Sequence, residues 1–239
     1  MGGLQLGGNI ALTPAEAQEI HAIAHIPKFP GETWYADVNA AAGGDGTEPD
    51  IAFQTIGEAL AAASAGDAIS VKAGIYTETG LDLNLDALQL WYETGTVLSP
   101  PSGTVLTLSG DYCRTRGNHR IVPAAGAIGV LLSGDSGIVE DATILTGATG
   151  LCITGSGAQV KNFAAGFQSA VAYDIQGIQA RLRQCNTVGN GATVGYRISN
   201  GVDTGVLENC TSAGHATSGF YIGHWFPRLD DTELLQWCW

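Results

Sequence analysis

Over most of the chain, apolar and polar residues alternate in short runs separated by Gly, Asp, Asn and Ser. Period-two alternation marks strands with one buried face. One such run recurs as a small residue followed by apolar alternation. The instances are Thr104-Val105-Leu106, Gly129-Val130-Leu131-Leu132, Gly150-Leu151-Cys152-Ile153, Ala170-Val171-Ala172-Tyr173, Gly195-Tyr196-Arg197-Ile198 and Gly219-Phe220-Tyr221-Ile222. Their starts lie 25, 21, 20, 25 and 24 residues apart. A fixed period of this length signals stacked coils, each a unit too small to bury its own apolar face.

A second run keeps the same period. Val139-Glu140-Asp141-Ala142, Val160-Lys161-Asn162-Phe163, Leu182-Arg183-Gln184-Cys185 and Leu207-Glu208-Asn209-Cys210 share an apolar, charged, polar, apolar order. Strands stacked roughly 4.8 Å apart turn such repeats into columns. Val139, Val160, Leu182 and Leu207 form an inward aliphatic column. Asp141, Asn162, Gln184 and Asn209 fall at a turn where side-chain amides ladder. Glu140, Lys161, Arg183 and Glu208 face outward, with opposite charges expected to meet between Glu140 and Lys161 and between Arg183 and Glu208. Cys185 and Cys210 become neighbours in adjacent coils. The fold expected is all-β: a right-handed parallel β-helix.

The N-terminal third reads differently. Residues 1–12 are rich in Gly. Thr13-Pro14-Ala15-Glu16 has the form of a helix start, with Thr13 as N-cap and Glu16 closing a capping box. That helix runs to about His25, where Pro27 and Pro30 stop it, and Ile20 and Ile23 give it a narrow apolar stripe. Trp34–Val38 alternates as a strand, and a Gly/Asp loop follows. Asp50 then caps a second helix over 50–65, with Ile51, Phe53, Ile56, Ala59 and Leu60 on its apolar face. The expected organisation is an attachment segment over 1–31, the β-helix with its capping helix over 32–224, and a cap or subunit contact over 225–239.

The stretch WYADVNAAAGGDGTEPDIAFQTIGEALAAASAGDAISVKAGIYTE resembles the approach to the first coil in pectin-lyase-like right-handed β-helix proteins. The likeness covers about 45 residues. It implies a strand, a Gly/Asp loop and a capping helix ahead of the first coil. The superfamily contains lyases, hydrolases, adhesins and phage spikes, so the resemblance implies a fold more than an activity.

Charge narrows the partners. Ten basic residues stand against 23 acidic ones, a formal net charge of −13. Such a chain repels phosphate backbones and anionic lipid, so neither nucleic acid nor membrane is expected. No run of 18 apolar residues occurs. Cys113, Cys152, Cys185, Cys210 and Cys238 contain no CxxC pair and read as small buried hydrophobes rather than a zinc site. Asp45 and Asp50 fit a turn and an N-cap better than a calcium loop. His21 and His25 have helical spacing without a third ligand. No metal or cofactor is expected.

Candidate chemistry is sparse. A glycosidase needs two carboxyls roughly 5–9.5 Å apart. The candidates are Asp111, Asp135, Asp174 and Asp203, which read as belonging to different turns rather than one column. The Asn-Thr-Asp, Asp-Asp and Gly-His-Gly motifs of polygalacturonases and the arginine motif of pectate lyases are absent. Arg114, Arg116 and Arg120 gather in what reads as a loop that fits an acidic sugar, and Tyr112 is an exposed aromatic beside it. Tyr173, Tyr196 and Tyr221 lie in the strand run and fit either sugar stacking or the core. The function expected is therefore a non-catalytic structural or adhesive spike, fibre or decoration protein at a virion surface, or extracellular if cellular. It would bind surface polysaccharide. Its architecture resembles phage tailspikes and head fibres, which implies a homotrimer and other particle proteins as partners. Thr13, Glu16, Ile20, Ile23, Trp237 and Trp239 would serve attachment and assembly. The alternative is a polysaccharide lyase or glycoside hydrolase.

Overall fold

The structure is a computed structural model that describes residues 31–189, 194–199 and 205–222. The expected helix with Thr13, Glu16, Ile20 and Ile23, the His21/His25 pair, Asp203, and residues 225–239 with Trp237 and Trp239 lie outside the described residues.

Strand β1 (Thr33–Ala36) leads through a single 3-10 turn (Pro49–Ile51) to helix α1 (Ile56–Ala62). Coils follow. The first holds β2 (Ala68–Val71), β3 (Ile75–Tyr76) and β4 (Leu81–Leu83). The next holds β5 (Gln89–Tyr92), β6 (Val97–Leu98) and β7 (Leu106–Leu108), and the one after it β8 (Arg114–Arg116), β9 (His119–Ile121) and β10 (Ile128–Leu132). In the following two coils the first pair of strands is continuous: β11 (Ile138–Leu145) with β12 (Thr149–Ile153), then β13 (Gln159–Gly166) with β14 (Val171–Ile175). The stack continues with β15 (Arg181–Arg183), β16 (Asn186–Val188) and β17 (Val194–Ile198). Its last described coil is β18 (Val206–Glu208), β19 (Thr211–Ala213) and β20 (Ser218–Ile222). Every pairing is parallel. One sheet runs β1-β2-β5-β8-β11-β13-β15-β18, with β3, β6, β9, β16 and β19 as its flanking wing, and the opposite sheet runs from β4 to β20. This is the expected solenoid.

The second repeat has the register its sequence implies. Val139 pairs with Val160, Val160 with Leu182 and Leu182 with Leu207. The first repeat is corrected at two places. Leu106 pairs with Val130, not Leu131, and Leu151 pairs with Tyr173, not Val171. The Thr104 alignment slips by one residue, which would have turned the strand inside out. The Ala170 alignment slips by two. Ala170-Val171 and Ala172-Tyr173 repeat the same small-apolar pair, so either register keeps the same face inward.

The interior is mostly aliphatic, with an aromatic stack in its later coils. Tyr173 and Tyr196 are fully buried, and their rings stack at 4.5 Å with Phe220 following at 4.8 Å. Their hydroxyls donate to carbonyls of the facing wing, Tyr173 to Phe163 (2.7 Å) and Tyr196 to Cys185 (2.6 Å). This removes both from the sugar-stacking candidates. Tyr221 is exposed on the outer face.

The capping helix is shorter than expected and starts later. Phe53 is held extended, its N–H donating to Tyr35 O (2.9 Å) and its carbonyl accepting from Asp37 N (2.8 Å). Asp50 therefore lies within the 3-10 turn, whose N-cap position is Glu48, and caps no helix. Thr55 and Glu58 form the capping box of α1. Glu78 of the first coil closes the same end, accepting from Ile56 N (2.8 Å) and Gly57 N (2.7 Å). Ile56 and Ala59 are buried as α1 packs on β1, β2 and β4, which covers this end of the stack. Asp45 accepts from both the N–H and the hydroxyl of Thr47, a turn role.

After β7, β10, β12 and β14 the chain turns through Gly110, Gly134, Gly155 and Gly177, stacked one above another. A Cβ on Gly155 would fall far inside contact distance of the Gly134 carbonyl. Gly155→Ala is expected to destabilise the protein by about 1–3 kcal/mol through overpacking, read as a lower urea midpoint.

Candidate functional site

Alternation sends every second residue of the long sheet outward. On β8 these are Arg114 and Arg116, on β13 Lys161, and on β15 Arg181 and Arg183. The register places Arg114, Ile138, Gln159 and Arg181 in one column, and Glu140, Lys161, Arg183 and Glu208 in the next. Trp91 and Arg116 lead into that second column, and the Arg116 guanidinium lies over the Trp91 ring at 4.3 Å. Five of the ten basic residues of the chain thus share one face. Arg120 joins them from β9 on the flanking wing, opposite Thr143.

Beside this face runs a column in left-handed backbone conformation: Asp141 (φ 57°), Asn162 (φ 50°), Gln184 (φ 54°) and Asn209 (φ 52°). Asn and Asp tolerate this region better than most residues. Asn162 Nδ2 donates to Asp141 Oδ1 at 2.7 Å, so the amide ladder read from the sequence forms here. Along this corner lies a groove of about 390 Å³ lined by Asn118, Asp141, Thr143, Asn162, Gln184 and Asn186. Its lining carries the amides of Asn118, Asn162, Gln184 and Asn186, the Thr143 hydroxyl and the Asp141 carboxylate, and Lys161 and Arg183 directly adjoin the lining residues in sequence. Guanidinium groups match carboxylates, and amides match sugar hydroxyls.

The acidic groups of this face are occupied. Arg114 donates through Nε (3.1 Å) and Nη2 to Glu140 Oε2. Arg183 Nε pairs with Glu208 Oε2 at 2.8 Å. Glu140 therefore takes the arginine one coil back rather than Lys161, because an extended guanidinium reaches two donors to one oxygen where an ammonium offers a point charge. Lys161 and Arg181 form no ion pair among the described residues.

The aspartate candidates are elsewhere. Asp111 and Asp135 do share a column, contrary to the sequence reading, because the variable coil lengths hide their common place after the stacked glycines. Asp86 accepts from Asp111 N (3.0 Å), Asp111 from Asp135 N (2.8 Å) and Asp135 from Ser156 N (2.8 Å). These carboxylates tie one coil to the next. Asp174 is 4% exposed on β14 and holds Arg197 of β17 through Nε (2.8 Å) and Nη2, with Gln176 Nε2 also donating at 2.8 Å. Hydrogen bonding to Asp174 raises Arg197 above its ordinary range. Burial, followed by the Asp174 charge, pushes the adjacent Cys152 thiol up to about 11. The structure thus separates Asp174 from Asp111 and Asp135.

Arg114, Arg116 and Arg120 are not in a loop. They sit on β8 and β9, joined by a turn at Gly117 (φ 110°) whose Cβ would run into the Tyr92 backbone. Tyr112 is 66% exposed but belongs to the Asp111/Asp135 column, its N–H donating to Asp135 O. Lys161 and Arg183 were visible in the sequence only as parts of a charge ladder, and Arg181 was not singled out. The signal was the basic i, i+2 spacing of Arg114/Arg116 and Arg181/Arg183 in equivalent strands.

Beneath the groove lies His119, 2% exposed and stacked on Tyr92 at 4.0 Å. Its Nδ1 donates to Gly117 O at 2.6 Å, since a carbonyl only accepts. Nε2 has no partner among the described residues, and burial brings the ring down to about 4.

No family model matches the sequence, and no curated protein matches it. The folded chain is similar to two solved structures. One is a pectate lyase, Pel9A, with 18% identity and a TM-score of 0.65 over 85% of this chain. The other is a rhamnogalacturonan lyase, with 15% identity and a TM-score of 0.67 over 84% of this chain. The fold is the pectin-lyase-like parallel β-helix. The chain spans 57% and 64% of those two structures, and at such identities the likeness is one of fold.

Proposed function

We propose that this pectin-lyase-like β-helix binds an acidic polysaccharide along the outer face of its long sheet. The observation that carries this is the gathering of Arg114, Arg116, Arg120, Lys161, Arg181 and Arg183 beside one polar groove, in a chain of net charge −13. An accidental distribution would scatter so few cations among the acids. Uronate carboxylates would meet Arg116, Lys161 and Arg181, while Asn162, Gln184 and Asn186 meet hydroxyls. The names of both structural neighbours carry a pectic polysaccharide, which supports the same ligand class.

The reading is of binding without cleavage. Glu140 and Glu208 are pinned by arginines and Asp141 by Asn162, so the described residues offer no free carboxylate pair across the groove. Presentation of this surface as a trimer from a virion, through residues 1–31, belongs to the same proposal. Affinity electrophoresis in gels containing polygalacturonate or neutral dextran tests the binding. Retardation by polygalacturonate alone, weakening as salt rises, is expected. Equal mobility in both gels would overturn the proposal. New unsaturated uronate ends, read by ultraviolet absorbance, would instead establish the lyase alternative. Light scattering reads the oligomeric state, and a monomer mass would remove the trimer.

A further inference from the structure

Outside the groove, the interior carries two thiols that no binding role uses. Asn186 pairs with Thr211 and Arg183 with Glu208, so Cys185 and Cys210 face each other in adjacent coils. Thr211 N donates to Cys185 O at 3.0 Å, which closes the coils together beside the pair. Stacked strands roughly 4.8 Å apart lie inside the Cα separation that a disulfide spans. Each cysteine directly follows a left-handed residue, Gln184 or Asn209, and is held in the same way. Both thiols are free; Cys185 is buried and Cys210 is partly exposed. This is a reachable thiol with a shielded partner behind it.

We propose that Cys210 is a thiol-exchange site for small disulfides and that Cys185 resolves the adduct, leaving a Cys185–Cys210 disulfide that clips the two coils together. The Cys210 thiolate attacks one sulfur of oxidised glutathione. That S–S bond breaks, and the departing glutathione thiolate takes up a proton equivalent to the one Cys210 lost. The Cys185 thiolate then attacks the Cys210 sulfur and expels the second glutathione. Two protein thiols and one glutathione disulfide become one protein disulfide and two glutathione thiols. The electrostatics suit this order. The hydrogen bond from Cys185 pulls the Cys210 thiol down toward neutrality, and the same bond together with burial pushes Cys185 up. The clip would hold the strand that presents Arg181 and Arg183 against the last described coil.

The test uses the full chain, folded, with oxidised glutathione at neutral pH, followed by alkylation and tryptic mass mapping. The expected product joins the peptide Gln184–Arg197 to the peptide Ile198–Arg228, with loss of two titratable thiols and an upward shift of the thermal midpoint. Cys185→Ser is expected to stop at the first step, with glutathione retained on Cys210. Cys210→Ser is expected to leave Cys185 unmodified. Recovery of both thiols free from the wild-type chain would overturn the proposal. So would a disulfide from either one to Cys113, Cys152 or Cys238. The wild-type map decides the matter even if a variant fails to fold.

Discussion

Reversing Lys161 and Arg181 together, as Lys161→Glu with Arg181→Glu, is expected to weaken retention by polygalacturonate roughly 30-fold. Both side chains are exposed on the outer face, in adjacent coils, and neither is held in an ion pair among the described residues. Their charge is therefore available to a ligand, unlike that of Arg114 and Arg183. An exposed ion pair contributes about 0.5 kcal/mol, and reversal removes two attractions and adds two repulsions, about 2 kcal/mol in all. The same substitutions should leave the urea midpoint within about 0.5 kcal/mol of wild type, since no buried contact changes. Arg114→Ala is the informative contrast, because it removes a positive charge and leaves Glu140 unpaired beside the groove. If the double reversal leaves retention unchanged, the basic face is not the binding surface.

Acidification is expected to remove about 3–4 kcal/mol of stability through His119 alone. In the fold its imidazole titrates near 4, against 6.5 when unfolded, because burial disfavours the charged ring. Between pH 6.5 and pH 4 the unfolded chain takes up a proton that the folded chain refuses. Stability therefore falls as pH falls through this window, and the loss is complete below about 4. At about 1.4 kcal/mol per pKa unit, the gap corresponds to the figure given. The lone acceptor Nε2 explains the direction: a proton there would find no hydrogen-bond partner among the described residues. Urea midpoints taken from pH 7 to pH 4 should fall for the wild-type chain. His119→Phe keeps the stack on Tyr92 and should flatten that component of the fall. A variant whose midpoint falls as steeply as wild type would assign the acid sensitivity to carboxylates instead.

Much of the fold was legible because a solenoid writes its core as columns. Val139, Val160, Leu182 and Leu207 could be aligned without any structure, since each sits at the same offset from a charged residue and a turn-forming amide or acid. The left-handed column of Asp141, Asn162, Gln184 and Asn209 was readable for the same reason. The helix was legible in kind but not in extent. Asp50 and Thr55 are both good caps, and the choice fell to the backbone bonds of Phe53 with Tyr35 and Asp37, which a local reading does not contain. His119 gave no signal, because a histidine between two arginines looks solvated until its strand is known to turn it inward.

The candidate site divides along the same line. By itself the sequence determined a parallel solenoid, the inward column of Val139, Val160, Leu182 and Leu207, and the scarcity of positive charge. Only the tertiary structure decided that Arg114, Arg116, Lys161, Arg181 and Arg183 share one face with Arg120 on the wing beside it, that Asp111 and Asp135 brace neighbouring coils, and that Asp174 is committed to Arg197. The reason is register. Successive coils take 21, 25, 24, 21, 22 and 25 residues. Period-two alternation fixes which side of a strand a residue occupies, but the number of residues spent in each turn fixes what stands above and below it, and that number is set by how the turns pack on one another.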